Sequence, residues 1–145
     1  METFLMTNMC PQHENLNQGA WRSLERWITL EAQERDHLYV IAGPIFGPAP
    51  EIVERGPERG IQVPEAFYMI IVDAEREYAD KPTLRLIAFR FPQTTPRSAN
   101  FLDRATFGVS VNDIEEETGL DFFPEYEAMF ARWDQKEAAV ELDAW

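Results

Sequence analysis

Between Thr7 and Glu25 the chain carries oxygen-bearing side chains of the types that can hold a hard cation against a phosphate, though Glu25 stands far from Asn17 for a shared coordination shell and would reach a metal-bound water. Asn8 and Asn17 bracket a polar loop, and Glu25 lies two helical turns beyond Asn17, roughly 12 Å along an axis at the usual rise. Trp21, Leu24 and Ile28 fall at i, i+3 and i+7, which predicts a helix with one apolar face. Asn17 is therefore expected near its N-terminus, an electropositive end with free N–H groups. An amide oxygen is a hard, neutral ligand. Mg²⁺ takes oxygen ligands, keeps several waters, and needs few protein groups when substrate phosphate completes its shell. The same residues have ordinary uses too: asparagine before a helix is a common N-cap, and glutamate on a helix is commonly solvated.

Phosphodiester hydrolysis also needs an activated water. His13 lies in the same loop and is a candidate base by residue type, with an exposed loop residue as the plainer reading. His37 opens a strand and has no partner motif. Cys10 is the single cysteine, which excludes an internal disulfide and reads as a small, half-buried filler.

The elements that must position these groups can be read in order. Thr3 to Met6 is a short apolar strand, and a first helix runs from about Gln18 to Glu34. Its tryptophans share spacing with Leu24 and Ile28, so they read as core anchors. Leu38 to Ala42 is a β-rich run ending at Gly43-Pro44, and Pro44 to Gly60 reads as a long surface loop. Arg55 and Arg59 on that loop are offset by Glu51, Glu54 and Glu58. Ala66 to Val72 is a continuous apolar run, hence a central strand. Asp73 to Pro82 is charged and turn-like, and Thr83 to Phe91 pairs back as an antiparallel hairpin, with Arg85 and Arg90 as phosphate contacts or markers of exposed ends. Pro92 to Arg104 is a polar connector, and Phe107 to Val111 a short strand. Asn112 is expected to cap an acidic helix from Asp113 to Thr118, stopped by Gly119. Phe122-Phe123-Pro124 packs back before a helix from Glu125 to Trp133, and Asp134 to Trp145 is an acidic tail. The fold class is α+β: an antiparallel sheet flanked by helices.

A chain of 145 residues is enough for one domain with a real core. No apolar run approaches the length of a membrane span, and the first residues lack the pattern of a signal peptide. The net charge of −13 counts against a broad basic face for nucleic acid. The charge is uneven: Asn112 to Trp145 holds 11 acids and 2 bases, and the first 111 residues hold 15 acids and 11 bases. All but two of the bases are arginine, the side chain suited to bidentate phosphate contacts.

Three groups of residues, taken in order, resemble the DNA/RNA non-specific endonucleases, the sugar-non-specific ββα-metal (His-Me finger) family that includes mitochondrial endonuclease G. The first is Thr7-Asn8-Met9-Cys10-Pro11-Gln12 followed by Leu16-Asn17-Gln18-Gly19-Ala20-Trp21 and Leu24-Glu25. The second is Tyr39 to Pro44, and Ile61 to Tyr68 with Val63-Pro64. The third is Val109 to Phe123, with Ile114-Glu115-Glu116-Glu117-Thr118-Gly119-Leu120-Asp121. The resemblance implies that residues 1–133 are the later part of such a domain and that 134–145 is a tail. It implies Asn17 as the protein ligand of a catalytic Mg²⁺, Glu25 as the acid that orders the ion's waters, and Asn8 as a polar residue supporting the site. The helix Asp113 to Thr118 gains a structural place beside the site.

The family's Asp-Arg-Gly-His motif, whose histidine is the general base, occurs nowhere in these 145 residues, and Thr29 stands where an arginine often follows the helical glutamate. The resemblance thus implies a Mg²⁺-dependent endonuclease of DNA and RNA at the level of the family. It implies an isolated chain that is inactive, with weak, metal-dependent nucleic-acid binding. A second chain supplying the missing strand and histidine is the partner that follows; a non-catalytic binding fragment or remnant is the alternative. Relatives are often exported or organellar.

Overall fold

The computed structural model describes residues 10–35, 37–75, 83–129 and 137–140. The expected strand Thr3 to Met6, Asn8, and most of the acidic tail lie outside the described residues.

The first helical run begins earlier than its apolar spacing suggested. A single turn, α1 (Glu14–Leu16), leads through a kinked turn, Asn17–Trp21, into α2 (Arg22–Glu34). His13 stands at the N-cap, and Glu14 puts a carboxylate in the first turn, where the helix dipole favours it. Leu16, Ala20 and Leu24 are fully buried, with Trp21, Trp27 and Ile28 partly buried against the same cluster. The tryptophans are therefore core anchors, as their spacing predicts.

The main sheet has four antiparallel strands in the order β1-β4-β5-β6. They are β1 (Tyr39–Ile45), β4 (Ala66–Glu75), β5 (Thr83–Pro92) and β6 (Gly108–Val109), while β2 (Glu51–Ile52) and β3 (Gln62–Val63) form a separate ribbon. The β4–β5 hairpin is in register from Ala66 opposite Pro92 to Glu75 opposite Thr83. Successive side chains on a strand point to opposite faces. Phe67, Met69, Ile71, Ile87, Phe89 and Phe91 accordingly pack with Leu16, Ala20, Leu24 and Phe107 on one face. Ala66, Tyr68, Ile70, Val72 and Ala88 pack with Val111 and Ile114 on the other. A sheet buried on both faces wants apolar residues at every position, so these strands read as continuous runs.

Several boundaries differ from the sequence reading. Strand β1 continues through Gly43 and Pro44, which lie opposite Tyr68 and Phe67. A proline is tolerated there because β1 is outermost among the described strands. The Tyr68 ring lies across Gly43: a Cβ on Gly43 would sit 2.6 Å from the Tyr68 hydroxyl oxygen. The excursion after Pro44 is not wholly loop, since Glu51 pairs with Val63 and Ile52 with Gln62. Strand β4 runs on through Asp73, which is buried and bound by Arg35 at 2.7 Å. Arg35 also binds Glu31 at 3.0 Å, tying the end of α2 to the sheet. That contact, then Asp73, holds the Arg35 guanidinium above its ordinary pKa despite partial burial.

The strand expected over Phe107 to Val111 shrinks to Gly108–Val109, because α3 (Arg104–Phe107) takes Phe107 into a helical turn. The backbone N–H groups of Thr106 and Phe107 both donate to the Asp103 carbonyl, at 3.1 and 2.9 Å. The acidic helix is α4 (Val111–Thr118), and its cap is Ser110 in place of Asn112. Ser110 Oγ accepts from the Asp113 N–H at 3.1 Å, and Asp113 Oδ2 accepts from the Ser110 N–H at 3.0 Å. Gly119 ends the helix in the left-handed region, at φ 70°. A last helix, α5 (Pro124–Met129), occupies part of the span predicted from Glu125 to Trp133; residues after Met129 in that span lie outside the described residues. No helix among the described residues is long and apolar enough to cross a membrane.

Candidate metal-binding active site

Asn17 lies on the kinked turn between α1 and α2 and is exposed. Its backbone N–H donates to the His13 carbonyl at 2.9 Å, so it sits inside the helical run and not at a free N-terminus. The first turn, Glu14 to Leu16, lies just before it, so the expected nearness to the helix N-terminus holds while its own N–H is taken. The side chain is directional: Nδ2 donates to Gln12 Oε1 at 2.9 Å. With its nitrogen so engaged, the amide leaves Oδ1 without a hydrogen bond among the described residues. Gln12 Nε2, on the other end of the partner amide, is buried with no hydrogen-bond partner among them.

The turn itself has a local cause. Gly19 has φ −104° and ψ −113°, outside the helical region, and this breaks the ladder between α1 and α2. A Cβ there would lie 2.6 Å from the Arg97 carbonyl oxygen and 2.8 Å from its Cα. The connector after β5 thus crosses directly over the turn that carries Asn17.

Glu25 is exposed on α2, and its Oε1 accepts from Trp21 Nε1 at 3.0 Å. The Trp21 ring packs edge-on against Phe67 at 5.6 Å and Phe91 at 6.2 Å. A core aromatic thus fixes one carboxylate oxygen and leaves the other for solvent or ligand. The Thr29 hydroxyl, one turn on, donates back to the Glu25 carbonyl at 2.9 Å.

The loop before Asn17 is held from across the sheet. Gln93, at the end of β5 and 5 % exposed, accepts from the His13 N–H at 2.8 Å and donates to the Pro11 carbonyl at 2.7 Å. His13 is exposed, as expected, and lines a cleft of about 370 Å³ with Gly47, Pro50, Glu65, Gln93 and Thr94. His37 packs its ring edge-on against Tyr39 at 5.4 Å. Cys10 is exposed and not the half-buried filler expected. Arg90 is bracketed by Glu65 at 2.8 Å and Glu117 at 2.9 Å, so its charge is already matched.

Asn17 and Glu25 are thus presented from one helical run, each oriented by a neighbour, while Asn8 lies outside the described residues. Sequence reading missed Gln12, Gln93 and the Trp21–Glu25 bond. The last had a signal, since Trp21 and Glu25 are i and i+4 on a helix. Gln93 had none, being 80 residues from His13. No group of three or more His, Cys, Asp or Glu suited to a metal occurs among the described residues. The donor set fits the other mode, in which one hard oxygen, water and phosphate hold a small divalent ion.

Comparisons with known proteins bear on the family and the fold. A family model described as DNA/RNA non-specific endonuclease matches residues 1–129. A nuclease of Serratia marcescens is 31% identical over 125 residues, covering 79% of this chain and 41% of that protein. Human mitochondrial endonuclease G is 28% identical over 130 residues, covering 85% of this chain and 42% of that protein. A crystal structure of the EndoG/EndoGI complex, concerned with EndoG inhibition, matches with a TM-score of 0.63 at 27% identity. That match covers 84% of this chain and 51% of the other. The chain therefore spans about two fifths of the length of these curated relatives. The α+β fold with an antiparallel sheet between helices is that of a ββα-metal nuclease. On the strength of the match over residues 1–129, the chain belongs to the DNA/RNA non-specific endonuclease family, a family of hydrolases.

Proposed function

We propose that this chain provides the metal-holding part of a Mg²⁺-dependent endonuclease site that cleaves DNA and RNA with little sequence preference. The observation that carries the reading is the orientation of Asn17: its amide nitrogen is committed to Gln12 at 2.9 Å, which leaves the carbonyl oxygen as the ligating atom. Asn17 binds the ion. Glu25, steadied by Trp21, accepts hydrogen bonds from the water around it, and Asn8 supports the loop. When bound, Mg²⁺ supplies charge stabilisation to the transferring phosphate. The remaining requirement is a base to take a proton from the attacking water. The 145 residues contain no Asp-Arg-Gly-His run, so in this reading the base comes from a histidine segment outside them, on the same or a second polypeptide.

A plasmid-nicking assay tests this, run on the 145-residue chain with Mg²⁺ and with chelator, alone and mixed with a separately made histidine segment. The expected result is no cutting alone and Mg²⁺-dependent cutting on mixing, abolished by Asn17→Ala. Cutting that survives Asn17→Ala would contradict the assigned ligand. If the two pieces associate without restoring activity, the chain is a non-catalytic binding fragment.

A further inference from the structure

We propose that Gln93 is a positioning residue for the metal ligand, acting through the loop Pro11-Gln12-His13 on the Asn17 side chain. This rests on the reading of Asn17 as the ligand of a divalent ion. Gln93 lies on the far side of the sequence, at the end of β5, and its own backbone is fixed because its N–H donates to the Glu65 carbonyl at 2.9 Å. Its amide then uses both ends on the residues either side of Gln12. Oε1 accepts from the His13 N–H at 2.8 Å and Nε2 donates to the Pro11 carbonyl at 2.7 Å. A planar amide that bonds both neighbours fixes the backbone of the residue between them. That residue, Gln12, holds the Asn17 amide at 2.9 Å.

The burial of Gln93 makes the arrangement stiff. At 5 % exposure, water does not readily replace either of its bonds, so losing the side chain leaves a donor and an acceptor in need of new partners. The same clamp determines which way the Asn17 oxygen points. Without it, Gln12 can leave Asn17, and the amide is free to rotate between presenting oxygen and presenting nitrogen. An NH₂ group presented to a cation repels it. Residues that orient a ligand from behind commonly change metal affinity by 10- to 100-fold when removed.

Mn²⁺, used as a paramagnetic probe of the Mg²⁺ site, reads this without any turnover. Mn²⁺ affinity is measured by electron paramagnetic resonance for the unaltered chain, Gln93→Ala, Asn17→Ala and Ile114→Val. The last is a packing change on the opposite face of the sheet, and thermal unfolding is recorded for all four. Gln93→Ala is expected to weaken Mn²⁺ binding about tenfold or more, with Ile114→Val unchanged. If Asn17→Ala abolishes binding while a folded Gln93→Ala binds Mn²⁺ normally, the role given to Gln93 is wrong and the metal site stands. If Asn17→Ala binds normally, or the unaltered chain binds no Mn²⁺, the metal reading itself fails. Should Gln93→Ala not fold, amide hydrogen exchange in the unaltered chain decides. A His13 N–H protected well beyond the exposed residues around it supports the clamp, and one that exchanges as fast as they do overturns it.

Discussion

Gly19 has no side chain at the one point where the Arg97 backbone crosses the Asn17 turn, 2.6 Å from where a Cβ would be. The neighbour is main chain, inside a turn closed by the Ala99 N–H donating to the Pro96 carbonyl at 3.0 Å, and cannot swing aside as a side-chain tip would. Gly19→Ala should therefore cost about 1–3 kcal/mol, the usual range for forcing extra volume into a packed region. Because the displaced segment carries Asn17, divalent-ion affinity should fall with it. Chemical denaturation and Mn²⁺ titration on the same sample check both parts; an alanine variant of unchanged stability would show that the connector yields. A second residue-scale prediction concerns pH. Burial raises the Tyr68 pKa above 10.0. The native state then holds its proton to higher pH than the unfolded chain does. This contribution is fully present below the unfolded pKa and is lost as pH rises through the folded one. Tyr68→Phe should flatten the alkaline loss of stability, read from urea midpoints between about pH 8 and about pH 11. An identical slope in both proteins would assign the loss elsewhere.

Among the elements, α4 shows most plainly how a cap is chosen. Ser110 and Asp113 exchange hydrogen bonds reciprocally, each using a backbone N–H of the other. Ser110→Ala removes the side-chain acceptor and should cost about 1 kcal/mol, seen as a lower thermal midpoint; Asn112→Ala should do much less. Equal effects would return the cap to Asn112, where the sequence reading put it. Both residues are good cap types, and Asn112 is next to the first acid, so composition favoured it. The Ser110-x-x-Asp113 spacing was the stronger sign, because only a residue three positions before Asp113 can trade bonds with it. The hairpin was more legible than the caps. Its apolar runs from Ala66 to Val72 and through Phe91 are needed by any sheet covered on both sides, and no alternative element of that length uses them so well. The kink at Gly19 was not legible, since the Arg97 backbone that packs against it is distant in sequence. Asn17 and Glu25 were found as residue types with a family pattern; Gln12, which aims Asn17, appears only once side chains are placed, whereas the Trp21–Glu25 bond was announced by i, i+4 spacing alone.

At the scale of the whole molecule, a net charge of −13 opposes a polyanion, so any approach by nucleic acid must be local and helped by the ion. The structure narrows the arginines that can help. Arg35 is held by Glu31 and Asp73, and Arg90 by Glu65 and Glu117. Arg22 and Arg26 open α2, and the backbone of Arg97 lies on Gly19. These three are exposed, lie on or against the run that carries Asn17 and Glu25, and have no ion-pair partner among the described residues; Arg55 and Arg59 are also exposed and unpaired there, but on the excursion between β1 and β4. With about three cations beside the site to displace counterions, the logarithm of the affinity for duplex DNA should fall with the logarithm of salt at a slope of about −3. Anisotropy of a short labelled duplex, titrated at several salt concentrations with Mg²⁺ and again with chelator, measures that slope. Binding should be weak, present with Mg²⁺ and lost with chelator. Arg97→Ala should reduce the slope by about one without altering sequence preference. Tight binding in chelator with a steep slope would mean that a basic face exists beyond the described residues, and that the ion is not what brings the phosphate to Asn17.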